Sequence, residues 1–289
     1  MSLRLFILEV QMNVFYTRES LIEVLDRERS KGKSIGFVPT MGALHDGHLA
    51  LVKRAIQQVD TVVVSIFVNP TQFNNPLDLE KYPRTLKQDI ELLNSVQNVL
   101  VFSPSVEEIY PENDHFEPLN LEGIDSVLEG KFRPGHFQGV VHVVQNLFQI
   151  VSPDFAYFGL KDFQQVAVIQ LMVKKLNLKV KIIACPTLRA ENGLALSSRN
   201  KRLKTAEIEE VLIIYKTLNF IKELKENNSP VEARKKAIEF FKKGNLKLEY
   251  LEIVDNKNLH PLTNTWAEGS TCCIAAFCGD VRLIDNMQY

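Results

Sequence analysis

The chain has 289 residues, of which 45% are apolar, enough to bury one large hydrophobic core or two domains of ordinary size. Its 34 Lys and Arg residues nearly balance its 35 Asp and Glu residues, so the net charge of −1 gives no field that would favour nucleic acid or an acidic membrane surface. We therefore expect a protein of enzyme size that binds its ligands locally, without nucleic-acid or membrane partners.

The N-terminal segment and the cysteines indicate the compartment. Residues 3–8 are apolar except for Arg4, and Glu9 and Gln11 follow at once without a small-residue cleavage pattern. No stretch approaches the roughly 20 apolar residues of a membrane span. A usual zinc spacing with partner histidines is absent around the cysteines, which are Cys185, Cys272, Cys273 and Cys278. These features predict reduced, mostly buried thiols in a cytoplasmic protein.

The first predicted strand, at residues 35–38, ends at Pro39 and is followed by a turn and an amphipathic helix. The turn contains His45 and His48 on either side of Gly47. A helix N-terminus offers unpaired N–H groups and partial positive charge, so we expect phosphate here, with the glycine allowing close approach and the histidines supplying hydrogen bonds or charge. By itself such a pair also fits a surface turn or a structural histidine pair.

The following elements alternate along the chain. A β-branched run at 61–68 is typical of a strand buried on both faces, and the amide-rich loop 69–76 follows it. Further helices are predicted at 85–95, 138–151 and 163–176, and further strands at 99–102, 155–158 and 180–184. This rhythm predicts an α/β, doubly wound, Rossmann-like parallel sheet.

Composition changes near residue 203. Two Lys- and Glu-rich helices are predicted at 205–225 and 230–243, and three strands follow at 247–254, 271–277 and 281–284. We interpret the charged helix faces as solvated surface. The pattern predicts a first domain over residues 1–202 and a smaller C-terminal α+β domain over 203–289.

Three more polar clusters lie in the first domain. The segment 128–139 can present charge to a ligand, Lys161 in the segment 158–165 can reach a phosphate, and the segment 196–200 follows a glycine-hinged turn that suits a lid over a triphosphate. Singly, each also fits a polar turn, a helix cap or a linker. Together they place His, Lys, Ser and Arg at the same edge of one sheet, as nucleotide binding at strand ends requires.

These segments resemble the pantothenate synthetase family of pantoate–β-alanine ligases. The similarity runs from about Met12 to the C-terminus and is densest up to Asn200, and residues 1–11 form an extension relative to the family pattern. The motifs that carry it are, in order, PTMGALHDGH at 39–48, FVNPTQF at 67–73, YPRT at 82–85, LEGKFRPGHF at 128–137, GLKDFQQ at 159–165 and LSSRN at 196–200.

The resemblance implies a two-step reaction. ATP and pantoate give pantoyl adenylate and pyrophosphate, and β-alanine then displaces AMP to form an amide. ATP is thus a co-substrate, and Mg²⁺ is expected to come with its triphosphate rather than with a protein metal site. Attack on the α-phosphorus needs charge stabilisation more than covalent help, which agrees with a cationic, hydrogen-bonding cradle. The family also implies a homodimer.

Residue roles follow from the same resemblance. His45 and His48 contact the ATP phosphates, Lys161 neutralises the transferring phosphate, and the lid over the triphosphate comprises Ser197, Ser198 and Arg199. The remaining nucleotide pocket comprises Met41, Gly42, Ala43, Leu44, Asp46, Gly47, Gly159, Leu160, Asp162, Leu188 and Leu196. The substrate subsite for pantoate and β-alanine comprises Asn69, Gln72 and Gln165, supported by Tyr82, Glu129, Arg133 and His136. Amides suit pantoate because they can read both hydroxyls and a carboxylate.

The sequence departs from the family pattern at one turn, where Leu160 replaces the glutamate of the usual Gly-Glu-Lys-Asp. Alternatives also remain at this level. A nucleotidylyltransferase shares the histidine motif but has no need of the amide-rich loop, and a tRNA synthetase-like protein would require a basic face. A non-catalytic ATP sensor would bind ATP without releasing pyrophosphate, since fold alone does not give function.

Overall fold

The computed structural model describes residues 13–289, and the predictions for residues 1–11 lie outside that range. The helices are α1 (Arg18–Ser30), α2 (Asp46–Ile56), α3 (Pro76–Lys81), α4 (Leu86–Leu93), α5 (Val106–Ile109), α6 (Leu128–Phe132), α7 (His136–Val151), α8 (Phe163–Lys175), α9 (Thr205–Leu224) and α10 (Pro230–Phe241). The strands are β1 (Asn13–Phe15), β2 (Ile35–Thr40), β3 (Thr61–Ile66), β4 (Val99–Phe102), β5 (Phe155–Gly159), β6 (Lys181–Cys185), β7 (Lys247–Val254), β8 (Thr271–Cys278) and β9 (Val281–Gln288). Short 3₁₀ turns occupy Pro70–Gln72, Leu160–Asp162 and Ser198–Arg202.

Six parallel strands form the first sheet in the order β1-β4-β3-β2-β5-β6. The chain moves outward from β2 through β3 to β4, and then returns to the other side of β2 with β5 and β6. The strand order therefore reverses between β2 and β5, and the carboxyl ends of these two strands open a crevice. The predicted doubly wound parallel fold is confirmed.

Helices cover both faces of this sheet, which explains its apolar strands. Val63 of β3 packs into the core beneath α1 and α7, whereas its neighbours Val62 and Val64 pack with α2 on the opposite face. All residues of β3 are buried as a result. A continuous β-branched run, rather than an alternating one, is what a strand covered on both faces requires.

The second sheet is antiparallel, in the order β7-β8-β9, and it also has two covered faces. Leu251 and Ile274 pack against α9 and α10 on one face, while Tyr250 and Cys273 join the core of the first sheet on the other. The C-terminal strands therefore lie against the elements that carry the crevice. We propose that the boundary between the two domains lies between residues 202 and 203.

Several predicted boundaries differ from those observed. The strand β1 and helix α1 precede the strand that we expected to be first, so the histidine turn follows the second strand of the chain. Strand β2 continues through Pro39 to Thr40. Pro39 is tolerated because the ladder between β2 and β5 already ends at the pair of Phe37 and Ala156, so on that side there is no ladder for a proline to interrupt.

The predicted burial of the cysteines is confirmed, and all four are free. Across residues 13–289, none of the helices combines the length and apolar character needed to cross a bilayer.

Candidate active site

A buried carboxylate holds the turn that follows β2. Asp89 of α4 is 2% exposed and accepts hydrogen bonds from the backbone N–H groups of Ala43 at 2.9 Å and Leu44 at 2.7 Å. Gly42 and Ala43 have φ values of 79° and 49°, a conformation that costs energy at Ala43 and persists because these bonds hold it. Asp89 thus holds the backbone of residues 43–44, which directly precede His45.

His45 lies at the N-cap of α2 and caps the helix with its ring. Its Nδ1 accepts from the N–H of Gly47 at 3.1 Å, so the neutral ring carries its proton on Nε2. A Cβ on Gly47 would lie 2.8 Å from the His45 ring, which explains why this position needs glycine. The His48 ring lies beside it, with ring centroids 4.1 Å apart.

Both imidazoles are neutral at pH 7 in this structure. Burial, together with the charges of Lys161 and Lys201, lowers the pKa of His45 to about 4. Burial, reinforced by His45 and Lys161, lowers the pKa of His48 well below its usual value. Nδ1 of His48 is buried without a hydrogen-bond partner in the described chain. The two histidines thus offer neutral hydrogen-bonding groups, and the nearby positive charge comes from Lys161 and Lys201. Of the two roles expected from the sequence, the structure favours hydrogen bonding over positive charge on the imidazoles.

Lys161 follows β5 on a 3₁₀ turn. Its Nζ lies 3.3 Å from Oδ1 of Asp162, which sits at the N-cap of α8 without making a side-chain capping bond. The carboxylate is therefore not used as a helix cap and remains 46% exposed. Asn286 of β9 donates from Nδ2 to the carbonyl oxygens of Leu160 and Lys161, both at 2.8 Å. The position of this turn thus depends on the second sheet.

The amide loop after β3 is internally bonded. Asn69 is 1% exposed, accepts from the Tyr110 hydroxyl at 2.7 Å, and donates to Oε1 of Gln72 and to the carbonyl of Gly139, both at 3.2 Å. Nε2 of Gln72 lies 3.3 Å from Sδ of Met41, which also lines the cleft. Asn69 therefore fixes which end of the Gln72 amide faces the ligand space.

His136 supports the same loop from the start of α7. Its Nδ1 lies 2.8 Å from the carbonyl oxygen of Gln72, which can only accept, so Nδ1 carries the proton. Burial, together with the charge of Arg133, lowers the pKa of His136 to about 4. The neutral ring thus holds the backbone of Gln72 in place.

Glu129 joins the two sheets instead of lining the main cleft. It accepts from Arg282 of β9 at 2.7 and 2.9 Å and from the Tyr250 hydroxyl at 2.7 Å, and Arg133 lies 3.6 Å away. Burial opposes its ionisation, but the hydrogen bonds and charge of Arg282 outweigh burial and lower the pKa of Glu129 to about 2. Glu129 is therefore an anion at neutral pH and anchors Arg133.

The Ser-Ser-Arg segment lines the cleft near the histidine turn. Ser198 donates from its hydroxyl to the carbonyl of Ala43 at 3.1 Å. Arg199 pairs with Asp78 of α3 at 2.6 Å, and Arg202 approaches the other oxygen of that carboxylate at 3.2 Å. The Arg199 guanidinium is thus held at the cleft by a carboxylate from a neighbouring helix.

One cleft brings most of the predicted residues together. Its lining includes Met41, His45, Gly47, His48, Asn69, Gln72, Tyr82, Arg133, His136, Gly159, Lys161, Asp162, Gln165, Leu188, Leu196, Ser197, Ser198 and Arg199. Six other predicted residues do not line it, namely Gly42, Ala43, Leu44, Asp46, Glu129 and Leu160. Of these, Gly42 and Ala43 shape the histidine turn, and Leu160 packs against the core of the first sheet.

The cleft also contains residues that sequence reasoning missed. Ile284 of β9 lines it, as does an apolar row on α7 comprising Val140, Val143, Val144 and Leu147. The helical spacing of that row was visible in the sequence, but it is equally typical of a helix face buried in the core. No sequence pattern around Ile284 predicts that it lines a cleft, because it reaches the cleft only through the packing of the second sheet on the first.

Comparisons with known proteins agree over nearly the whole chain. Residues 13–288 match the family described as pantoate-beta-alanine ligase. A pantothenate synthetase of Phocaeicola vulgatus is 51% identical over 287 residues, covering 96% of this chain and 99% of that protein. The crystal structure of a pantothenate synthetase from Thermus thermophilus has a TM-score of 0.90 at 40% identity, covering 96% of this chain and 99% of the other.

A second solved structure was determined with ligands. It is the pantoate-beta-alanine ligase of Francisella tularensis, described as complexed with beta-gamma ATP and beta-alanine. It has a TM-score of 0.78 at 40% identity and covers 96% of this chain and 97% of the other.

Proposed function

The chain belongs to the pantoate–β-alanine ligase family, and from this membership we infer that it catalyses the ATP-dependent condensation of pantoate with β-alanine to form pantothenate. The observation that carries the conclusion concerns the cleft at the point where the strand order reverses, between β2 and β5. One side of this cleft carries His45, His48 and Lys161, and the other carries the amides of Asn69 and Gln72. The first suits a triphosphate, and the second suits a hydroxy acid.

The reaction needs two displacements. A carboxylate oxygen of pantoate attacks the α-phosphorus of ATP, the bond to the β-phosphate bridging oxygen breaks, and pyrophosphate leaves. The amine of β-alanine then attacks the acyl carbon, the bond to AMP breaks, and the amine proton is lost as the amide forms. In both steps the protein's main task is to hold the reactants in line and to stabilise the developing negative charge.

We propose that His45, His48 and Lys161 act on the phosphates. The neutral imidazoles would donate hydrogen bonds to phosphate oxygens, and the ammonium of Lys161 would balance charge on the α-phosphoryl group. Ser197, Ser198 and Arg199 would close over the β- and γ-phosphates, with Arg199 exchanging Asp78 for phosphate. Two observations support this assignment: all of the residues assigned to the phosphates line the same cleft, and the buried Nδ1 of His48 has no hydrogen-bond partner in the described chain.

We propose that pantoate lies beside the amide loop. Gln72 and Gln165 would contact its hydroxyl and carboxylate groups, and Asn69 would set the orientation of the Gln72 amide. The apolar row on α7, with Val143 as a member, would cover its hydrocarbon part. The supporting contacts of His136 with the Gln72 backbone agree with this placement.

Mg²⁺ would enter with the triphosphate. Among residues 13–289, no group of three or more His, Cys, Asp or Glu side chains is arranged to hold a metal ion, and Asp162 is the one carboxylate in the cleft lining. This donor set fits an ion held by phosphate oxygens and water, since Mg²⁺ keeps several waters. When bound, the ion would neutralise part of the triphosphate charge. Asp162 would then meet the waters of such an ion or the ribose of ATP.

The decisive experiment follows pyrophosphate release from ATP with pantoate alone, and then with β-alanine added. We expect a burst stoichiometric with enzyme in the first case and full turnover to AMP and pantothenate in the second, detected by mass spectrometry. A dinucleotide product would instead identify a nucleotidylyltransferase. Measurable ATP binding without pyrophosphate release would identify a sensor.

We further propose a homodimer that works in the cytoplasm. The family resemblance implies the dimer, and the free, buried state of Cys185, Cys272, Cys273 and Cys278 agrees with a reducing compartment. Sedimentation velocity at micromolar concentration tests the assembly, and a single species at the mass of one 33.0 kDa chain would contradict it.

A further inference from the structure

We infer that Asn286, on the C-terminal strand β9, is a positioning residue that sets the location of Lys161. The inference rests on the proposed role of Lys161 at the transferring phosphate. Asn286 does not line the main cleft, and its side chain acts on the reaction only through the turn that carries Lys161.

The contact is specific in its chemistry. The two hydrogens of the Asn286 amide nitrogen meet two successive carbonyl oxygens, those of Leu160 and Lys161, each at 2.8 Å. Asn286 is 9% exposed, so water cannot readily replace these bonds. The turn itself has no side-chain capping bond at its start, and Asp162 caps neither the turn nor α8. The amide of Asn286 is therefore the side-chain clamp on this segment.

Asn286 is itself held rigidly. Asp285 is 4% exposed and forms a two-point pair with Arg189 at 2.6 and 2.9 Å, while it also accepts from the N–H of Asn286 at 2.8 Å. Arg189 donates to the carbonyl of Asn286 at 3.0 Å and stacks over the Tyr215 ring at 4.8 Å. A bidentate, buried pair of this kind fixes direction as well as distance.

The pair of Arg189 and Asp285 also connects two segments that line the cleft. Arg189 directly follows Leu188, which lines the cleft and whose carbonyl accepts from the N–H of Leu196 at 3.1 Å. Through Asp285 and Asn286 the segment at Leu188 is connected to the turn at Lys161. The second sheet therefore does more than cover the site, because its last strand sets the relative position of two active-site segments.

The test is a double-mutant cycle between Asn286→Ala and Lys161→Ala, with the rate of pyrophosphate release as the readout. Asn286→Ala should lower kcat by roughly 10-fold to 10²-fold, since a displacement of about 1 Å of a catalytic group has effects of this size. In the Lys161→Ala background the same change should lower kcat by less than about twofold, because residues that act through one another are not additive. An equal effect in both backgrounds would overturn the inference.

Two further variants complete the design. Gln288→Ala, on the exposed end of the same strand, is the matched control and should leave kcat unchanged. Asn286→Gln keeps the amide donors but lengthens the side chain, so it should also displace Lys161 and lower kcat with little change in the unfolding midpoint. If Asn286→Ala does not fold, Asn286→Gln takes its place in the cycle. A lowered midpoint with unchanged kcat would show a purely structural role and overturn the inference.

The result separates this inference from the proposed role of Lys161. Near-normal turnover of Lys161→Ala alone would remove Lys161 from the mechanism, and the inference would fail with it. A strong effect of Lys161→Ala with no effect of either Asn286 variant would leave the role of Lys161 intact and overturn only the inference.

Discussion

At the scale of single residues, the histidine pair of His45 and His48 is notable because both imidazole rings are uncharged at neutral pH. His45 and His48 lie among Lys161 and Lys201, and burial with these charges keeps both imidazoles unprotonated. Neutral imidazoles can donate to phosphate without adding a desolvated charge to the cleft. Their protonation would then follow the arrival of the anionic substrate rather than precede it.

His48→Ala tests the pair directly. The substitution should lower kcat by roughly 10²-fold or more, because the removal of one preorganised donor at developing charge has effects of this size. Steady-state pyrophosphate release measures it, with circular dichroism and the unfolding midpoint as checks on the fold. Near-normal turnover in a folded variant would remove His48 from the mechanism.

His136→Gln tests whether the burial of a neutral histidine makes the stability of the fold depend on pH. Folding lowers the pKa of His136 from 6.5 to about 4, so between these values the unfolded chain binds more protons than the folded one. The stability of the wild type should therefore fall as pH drops from 6.5 to about 4, and His136→Gln should reduce this slope. Urea denaturation at a series of pH values measures both slopes. Identical slopes would contradict the expectation.

At the scale of elements, we propose that α3 competes with the substrate for Arg199. Its Asp78 pairs with Arg199 and Arg202, so under the proposed role of Arg199, ATP would displace this carboxylate from the guanidinium. Since partly exposed pairs contribute little, this competition tunes ATP binding rather than preventing it.

Asp78→Asn should lower the KM for ATP. The expected change is less than about fivefold, because such pairs are worth at most about 1 kcal/mol. Initial rates against ATP concentration measure it. Asp280→Asn is the matched control, since Asp280 pairs with Arg202 and Lys81 but not with Arg199, and it should leave the KM unchanged. A raised KM in Asp78→Asn would contradict the competition.

Helix α7 fixes the amide loop by close contact. Gly139 approaches Thr71 so closely that a Cβ would lie 2.5 Å from the Thr71 carbonyl oxygen and 3.0 Å from the Gln72 nitrogen. A glycine at this point of the helix lets Asn69 donate to the Gly139 carbonyl. The amide loop, where we propose that pantoate binds, is therefore positioned by the packing of one helix on one turn.

Gly139→Ala should raise the KM for pantoate about tenfold and leave that for ATP nearly unchanged, because overpacking of about 1–3 kcal/mol would displace the loop. Initial rates with each substrate varied separately measure the effect. Gln145→Ala, on the same helix, is the control for a general disturbance of α7. Equal increases in both KM values would show that the change is not confined to the pantoate side.

At the scale of the whole molecule, the cluster of Glu129, Arg282 and Tyr250 joins the two sheets. Glu129 belongs to α6 beside the cleft, and the other two residues belong to the C-terminal strands. Because Glu129 is 7% exposed, its charge depends on a partner from the second sheet. Folding of the C-terminal part and shaping of the site are thus coupled.

Arg282→Ala should lower the free energy of unfolding by about 3–5 kcal/mol, because it removes the cation that makes two hydrogen bonds to the buried carboxylate of Glu129. Guanidinium denaturation of the full chain measures the change. Lys175→Ala breaks a pair with Glu122, whose side chain is 61% exposed, and as a control it should cost at most about 1 kcal/mol. An equal loss in both variants would refute the special role of the buried pair.

The sequence alone determined the parallel α/β fold and the composition of the site. Continuous apolar strands and helical spacing are local patterns, and polar turns follow the strand ends, so His45, His48, Lys161 and Arg199 could be predicted to lie near one another. All four do line one cleft, and their roles stay a prediction. The motif resemblance then indicated the reaction. Local patterns placed element boundaries less well, as β2 shows by running through Pro39 to Thr40.

Only the tertiary structure decided how those residues are held. Asp89, Asn286 and Arg282 carry no local motif, yet each forms a hydrogen bond with a segment of the candidate site that is distant in the sequence. The protonation states of His45 and His136 likewise depend on burial and on neighbouring charges from other elements. The physical reason is that hydrogen bonding, desolvation and close packing act through space, whereas the patterns of a sequence report mainly what neighbouring residues do together.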